Sequence, residues 1–255
     1  MSNSPALWSA LLPRPEPDDH KYHRGHSVIL GADMYTGATR LAAEACSRIG
    51  SGLVTVMSDT QADTYRATLP ADIMVRSGAI ADLNRPSVLL AGPGGCSDDQ
   101  AQKLINADPV LLIVLDADAI RLSPELGSRT CILTPHVAEF ERYFGSTSLQ
   151  STDQAREAAQ SSGHVIVLKG PYTAIAAPDG RVSLNMTASP YLAKAGTGDV
   201  LAGLITGLAA QGMPPFEAAC AAVWMHGHAG KRIGPGLIPQ DITSEIPAIL
   251  SDLLR

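Results

Sequence analysis

The chain has 255 residues, 45% of them hydrophobic and 17% charged, which is enough for one sizeable core and too apolar for a disordered polymer. Its net charge of −6 leaves no basic stripe for a nucleic acid, but it does not oppose a nucleotide held by local backbone N–H groups. Residues 1–19 hold Pro5, Pro13, Pro15 and Pro17 without the basic-then-apolar pattern of a secretion signal. The longest aliphatic run, 110–115, is of strand length and too short to span a membrane. Cys46, Cys96, Cys131 and Cys220 are scattered, with no CxxC pair, and read as free thiols of a reducing cytoplasm.

Strand-length apolar runs alternate with helical patterns along most of the chain. Residues 27–31 predict a strand, followed by a helix over 37–49 with Leu41, Ala42, Ala45 and Ile49 on one face. Strands are expected at 53–57 and 87–91, the second ending in Gly92-Pro93-Gly94-Gly95 before a helix over 98–107. A strand over 111–115 ends at Asp116, and one over 131–133 leads through Thr134-Pro135-His136 into a helix reaching residue 144. A sixth strand is expected over 165–168. Residues 173–177 and 181–184 flank Pro178-Asp179-Gly180, the strongest hairpin signal in the chain. From Asp199 the pattern is helical to the C-terminus, broken near Pro214-Pro215 and over 234–239.

Continuous aliphatic strands separated by helices predict an α/β fold with a mainly parallel central sheet flanked by helices. No repeat or domain-scale linker interrupts the pattern, so residues 20–255 read as a single domain behind a proline-rich N-terminal extension, residues 1–19. Ligands of such sheets bind beyond the carboxyl ends of the strands. Residues 35–38, 92–95, 116–118, 134–139 and 169–173 each follow a predicted strand and are expected along one rim.

The most informative stretch is Gly196-Thr197-Gly198-Asp199, which opens an apolar helix. Glycine lets the backbone approach an anion with no Cβ in the way, and it can take a positive φ. Unpaired N–H groups at the helix start, together with the positive end of the helix dipole, then form a phosphate or oxyanion cradle. Asp199 would repel that anion, so it calls for a chemical reason. It could take a proton from a hydroxyl that attacks a phosphoryl group, or steer a bound metal. The plainer alternative is a helix-start residue held by hydrogen bonding and the dipole. The flanking glycines weigh toward chemistry.

Other candidates are weaker alone. Gly92-Pro93-Gly94-Gly95 can present N–H groups or form an ordinary turn. Asp116 and Asp118, two residues apart, could reach Mg²⁺ through water or serve as caps. His136 could bond a substrate amide or hydroxyl, whereas the dipole alone would select Glu139. Lys169, followed by Gly170, can neutralise a phosphate or be merely solvated. His20-x-x-His23-x-x-His26 has helical metal-comb spacing, but Gly25 and the prolines before it predict extended chain, and no metal site is expected there. His226 and His228 are expected to point apart on their helix. Neither a Walker loop nor a G-x-G-x-x-G fingerprint is present.

Taken in order, Tyr35-Thr36-Gly37-Ala38, Gly50-Ser51-Gly52, Gly92-Pro93-Gly94, Asp116-Ala117-Asp118-Ala119, Thr134-Pro135-His136 with Glu139, Leu168-Lys169-Gly170 with Thr173, and the run from Gly196 to Gly203 form one pattern. It resembles the ADP/ATP-dependent NAD(P)H-hydrate dehydratases, a carbohydrate-kinase-like branch of the ribokinase superfamily, and it runs from His20 to the C-terminus. The resemblance implies a ribokinase-like three-layer sandwich for the catalytic domain. It implies Asp199 as the catalytic residue beside an anion hole at Gly196, Thr197 and Gly198. Adenine-nucleotide contacts are implied at Lys169, Gly170, Pro171, Tyr172, Thr173 and Gly198, and contacts to the hydrated dinucleotide at Ala38, Gly94, His136 and Asp199. Cys96, Val137-Ala138 and Ala195 depart from glycine or proline positions of the family pattern without removing a charged group.

The implied reaction is nucleotide-dependent dehydration of hydrated NADH or NADPH, a metabolite repair. ADP or ATP is the implied co-substrate and Mg²⁺ the implied ion, with the ion's ligands left open. A cytoplasmic homo-oligomer, such as a tetramer, is implied as well. Residues 1–19 are too few for the epimerase domain that some members carry. The nearest alternative is a kinase of the same superfamily acting on a thiazole, pyrimidine or sugar alcohol, which would use the same cradle and acid. A nucleotide sensor without turnover is a third reading, against which the intact Asp199 speaks.

Overall fold

The computed structural model describes residues 1–108, 110–146 and 148–255. Among them, nine strands form one sheet. Seven run parallel: β1 (His26–Leu30), β2 (Leu53–Met57), β3 (Ile73–Arg76), β4 (Val88–Ala91), β5 (Leu112–Leu115), β6 (Cys131–Leu133) and β7 (Val165–Leu168). The hairpin of β8 (Thr173–Ala176) and β9 (Val182–Asn185) adds to β7 in antiparallel sense, so the order is β3-β2-β1-β4-β5-β6-β7-β8-β9. Parallel strands need helical crossovers, and the chain supplies α1 (Thr36–Arg48), α2 (Ala62–Thr68), α3 (Asp98–Ile105), α4 (Val137–Phe144), α5 (Ser151–Ser162), α6 (Thr197–Ala210), α7 (Pro215–Ile233) and α8 (Pro239–Leu253).

Strand side chains alternate between two cores, which explains why the central strands are apolar on both faces. Ile29 and Val114 point to the face covered by α1, α2, α6, α7 and α8. Val28, Leu30, Ile113 and Leu115 point to the face covered by α3, α4, α5 and the 3-10 segment Ala117–Leu126. The result is the three-layer α/β sandwich that the pattern of runs predicts. Elements α2, β3, this 3-10 segment and α5 lie where that pattern predicts none. Residues 1–12 pack onto the sandwich. Asn3 N–H donates to the Leu184 carbonyl at 2.9 Å, and buried Trp8 meets Trp224 edge-on at 5.7 Å. No helix among the described residues is long and apolar enough to cross a membrane.

Helix α6 carries the glycine cradle and crosses α1 at very short range. A Cβ on Gly203 would lie 2.3 Å from the Ala42 carbonyl oxygen and 2.8 Å from the Ala45 Cβ. The alanines of α1 and the glycines of α6 are therefore a matched pair of flat surfaces, and they fix where α6 begins above the sheet. Gly203→Ala forces the two backbones apart and should destabilise the fold by about 1–3 kcal/mol, the usual range for overpacking. Denaturant unfolding measures it, and a change within experimental error would mean that the two helices can separate freely.

Candidate active site

The rim predicted from the strand ends exists because the parallel hydrogen-bond ladder runs on past the strands. Asp116 N–H donates to the Ala91 carbonyl at 3.0 Å, Thr134 N–H to Leu115 at 3.0 Å, and Lys169 N–H to Pro135 at 2.8 Å. Gly92, at φ +116°, allows this, since a Cβ there would come within 1.8 Å of the Asp116 carbonyl oxygen. Gly94 abuts Tyr35 in turn, which brings the loop holding Ala38 beside the β4 loop.

At the start of α6, Gly196 caps the helix in the left-handed region at φ +95°. The Thr197 hydroxyl donates to the Leu192 and Lys194 carbonyls at 2.8 and 2.9 Å, and its N–H reaches Lys194 at 3.3 Å. Thr197 thus ties down the turn. The Gly198 and Asp199 N–H groups have no partner among the described residues and are the ones left open to an anion. Asp199 itself makes no capping bond and no ion pair there, which removes the reading of a hydrogen-bonded helix-start residue. Burial, then the nearby Asp116 charge, push its pKa up to about 6 against the pull of Lys169. A carboxylate tuned in this way is a competent proton acceptor near neutrality.

Lys169 reaches across the rim. Its Nζ pairs with Asp116 Oδ1 at 2.7 Å and lies 3.6 Å from where a Cβ on Gly198 would stand. Burial disfavours the ammonium, but Asp116, with smaller help from Glu139 and Asp199, holds its pKa above the ordinary lysine value. Asp116 Oδ1 also accepts the Thr134 hydroxyl at 2.6 Å. His136 and Glu139 form a capping box at the start of α4: His136 N–H donates to Glu139 Oε2 at 2.8 Å and His136 Nδ1 accepts from Glu139 N–H at 3.2 Å. His136 remains exposed beside the rim.

Residues 169–173, Thr197 and Gly198, with Asn185, Leu201, Val223 and His226, line a cavity of about 760 Å³. Its volume suits a mononucleotide. Ala38, Gly94, His136 and Asp199, the positions that the resemblance assigns to the dinucleotide, do not line it. His226 Nε2–H donates to the Thr197 carbonyl at 2.9 Å, and burial pushes its pKa down to about 4, so the ring is neutral. His228 stacks on Trp224 instead, so the two histidines do point apart.

Sequence reasoning left Asp116 between a water-mediated reach to Mg²⁺ and a helix cap, because a strand-end acid has many uses, and did not foresee its pairing with Lys169. The i, i+2 pair does not act together: Asp118 is exposed on the 3-10 segment. His26 bonds Asn84 and Thr55 at the start of β1, whereas His20 and His23 meet each other at a tilt, with ring centroids 3.7 Å apart. Among the described residues no three His, Cys, Asp or Glu side chains gather as a metal site.

A family model described as NAD(P)H-hydrate dehydratase matches residues 26–247. The chain is 34% identical over 93% of its length to a bifunctional NAD(P)H-hydrate repair enzyme of Methanopyrus kandleri, of which it spans about half, 51%. It is 32% identical to an ADP-dependent (S)-NAD(P)H-hydrate dehydratase of Xanthomonas campestris, with 95% of this chain and 94% of that one covered. Its fold superposes with a TM-score of 0.85 on a Bacillus subtilis ADP/ATP-dependent NAD(P)H-hydrate dehydratase crystallised with ATP and Mg²⁺, at 26% identity over 99% and 98% of the two chains.

The raised Asp199 pKa has a stability consequence with a definite sign. Its folded value of about 6 exceeds the ordinary 3.8, so the folded state binds this proton more tightly than the unfolded state. Above pH 6 the charged carboxylate therefore works against folding. Asp199→Asn should be more stable than the parent at pH 8 by roughly 1–2 kcal/mol, allowing for partial exposure. The difference should fade as pH falls through 6 toward 4. Thermal melts at several pH values check this, and parallel melting curves at all of them would contradict it.

Proposed function

Because the chain belongs to the NAD(P)H-hydrate dehydratase family, we propose that it restores NADH or NADPH from the hydrated form at the expense of ADP or ATP. The observation that carries this reading is the unpartnered Asp199 carboxylate at a glycine-opened helix start, directly after Gly198, which lines a nucleotide-sized cavity. The hydrated nicotinamide ring bears a hydroxyl, which leaves poorly as hydroxide. In this reading Asp199 takes the hydroxyl proton while its oxygen attacks the terminal phosphorus of the nucleotide. An O–P bond forms to the ring oxygen, and the P–O bond to the departing AMP or ADP breaks. The open N–H groups of Gly198 and Asp199, with the Lys169 ammonium, face the charge that spreads over the transferred oxygens. The C–O bond to phosphate then breaks, the neighbouring ring carbon loses a proton, and the ring double bond returns.

Residues 169–173 and Gly198 bound the nucleotide cavity, and Ala38, Gly94 and His136 are assigned to the dinucleotide on the remaining rim. Mg²⁺ belongs to this reading, since such an ion keeps several waters and needs few protein carboxylates. When bound, it offsets phosphate charge. A homo-oligomer belongs to the same reading. A plain kinase would use the same cradle, but the family match and the full-length relative favour the dehydratase.

Given ADP, Mg²⁺ and NADH hydrate, the protein should release AMP, phosphate and dihydronicotinamide in equal amounts, read from chromatography and the absorbance of the restored ring. A stable phosphorylated alcohol with no such absorbance would establish a kinase. Asp199→Asn should retain nucleotide binding and lose turnover by about 10²-fold or more, the scale of general-base removal. His136→Ala should raise the KM for the hydrate more than that for the nucleotide, and the reverse split would move His136 out of the dinucleotide half.

A further inference from the structure

Asp116 has no part in the chemistry above, yet the backbone around it is unusual. The residue is 4% exposed, and its Oδ1 holds both the Thr134 hydroxyl and the Lys169 ammonium. Ala117, directly after it, sits at φ +47°, a left-handed conformation that a residue with a Cβ rarely adopts. Gly92 presses against its carbonyl from the neighbouring strand end. Departures of this kind persist only where the surroundings enforce them, and they collect at working sites.

The Lys169 ammonium is what this carboxylate holds. Three carboxylates act on that ammonium, those of Asp116, Glu139 and Asp199, and Asp116 alone of the three lies within ion-pair distance among the described residues. We propose that Asp116 is a positioning residue that fixes the Lys169 ammonium beside the anion cradle and keeps it from pairing with Asp199. The inference rests on the reading of Asp199 as the proton acceptor. A half-buried ammonium between acids pairs with whichever is best placed. If it closed on Asp199, the base would lose basicity and the cation would leave the transferred phosphoryl group. Thr134 from the end of β6 and Lys169 from the end of β7 both bind Oδ1, so the carboxylate is gripped in one orientation. The other titratable groups facing this pocket are Glu139 of α4, which acts on Lys169, and His226 of α7, which is neutral.

The test is a titration of the aspartate carboxyls by ¹³C NMR in the parent protein, in Asp116→Asn and in Asp116→Asn/Lys169→Gln, with Asp199→Asn identifying the resonance. The parent Asp199 should titrate near 6. Asp116→Asn should bring its midpoint down by about 1–3 units, the sum of the lost Asp116 charge and an ammonium closing on the carboxylate, and the double variant separates the two contributions. The double variant, lacking that ammonium, should return it toward the parent value. On the hydrate, kcat of Asp116→Asn should fall about tenfold or more, and the acid limb of its pH profile should move down with the NMR midpoint. An unchanged Asp199 midpoint in Asp116→Asn, or an equal drop in the double variant, overturns the proposal. Should Asp116→Asn fail to fold, Thr134→Val decides: loosening one of the two grips should lower the midpoint by a smaller amount, and no shift counts against the proposal. The titration needs no turnover, so a parent protein inactive on the hydrate would defeat the dehydratase reading alone.

Discussion

Helix α6 is buried along nearly its whole length, and its first turn opens into the site rather than into bulk water. Leu201, Leu204, Ile205 and Leu208 sit in one core with the helix wedged against α1, so the amino end is held by packing and has no freedom to seek partners. Unpartnered N–H groups in such a place are costly, on the order of 1–3 kcal/mol each when sealed from water. An anionic ligand supplies what they lack. The close crossing at Gly203 is therefore part of the site, although it lies more than a turn from the chemistry: it sets the depth at which the cradle sits.

Electrostatics follow from that depth. At the surface, a carboxylate in the first turn of a helix would be favoured by the dipole and would have an ordinary pKa. Asp199 stands in the first turn but is half-buried, near a second acid, and bonded to nothing, and these conditions outweigh the dipole. The same surroundings would expel a phosphate, were Lys169 not brought to the edge of the cradle. A stable arrangement of one ammonium and several carboxylates in so little space requires each to be assigned a place, and the strand ends do that assigning through backbone hydrogen bonds.

Much of this was legible in the sequence where one physical signal dominated. Central strands such as β1 and β4 are aliphatic on both faces because both faces are covered, and their ends located the rim. Gly196 to Asp199 was legible because glycine, helix start and acid coincide. The pattern was silent at β3, an edge strand half exposed around Met74 and Val75, and at α5, whose buried side is only Ala155, Ala158 and Ala159. Elements that bury little leave little periodicity. Asp116 was ambiguous for a different reason. Its partners, Thr134 and Lys169, are 18 and 53 residues away, and only the order of strands β5, β6 and β7 brings them together.

The cradle on its own is indifferent to what attacks the phosphorus. Gly198, Asp199 and Lys169 would serve any hydroxyl placed in line, which is why the same fold can host kinases and a dehydratase alike. The choice of acceptor must lie in residues that the phosphoryl group never touches. The proposed reading assigns this to the β1, β4 and β6 side of the rim, where Ala38, Gly94 and His136 do not line the cavity beside Lys169 and Gly198. The His136–Glu139 capping box makes that side rigid: the histidine is held by the helix it caps, with Nδ1 accepting from the backbone and Nε2 turned toward the Glu139 carboxylate at 3.3 Å. In the proposed reading, one half of the strand-end rim moves phosphate, the other chooses its recipient, and Asp199 is assigned the step between them.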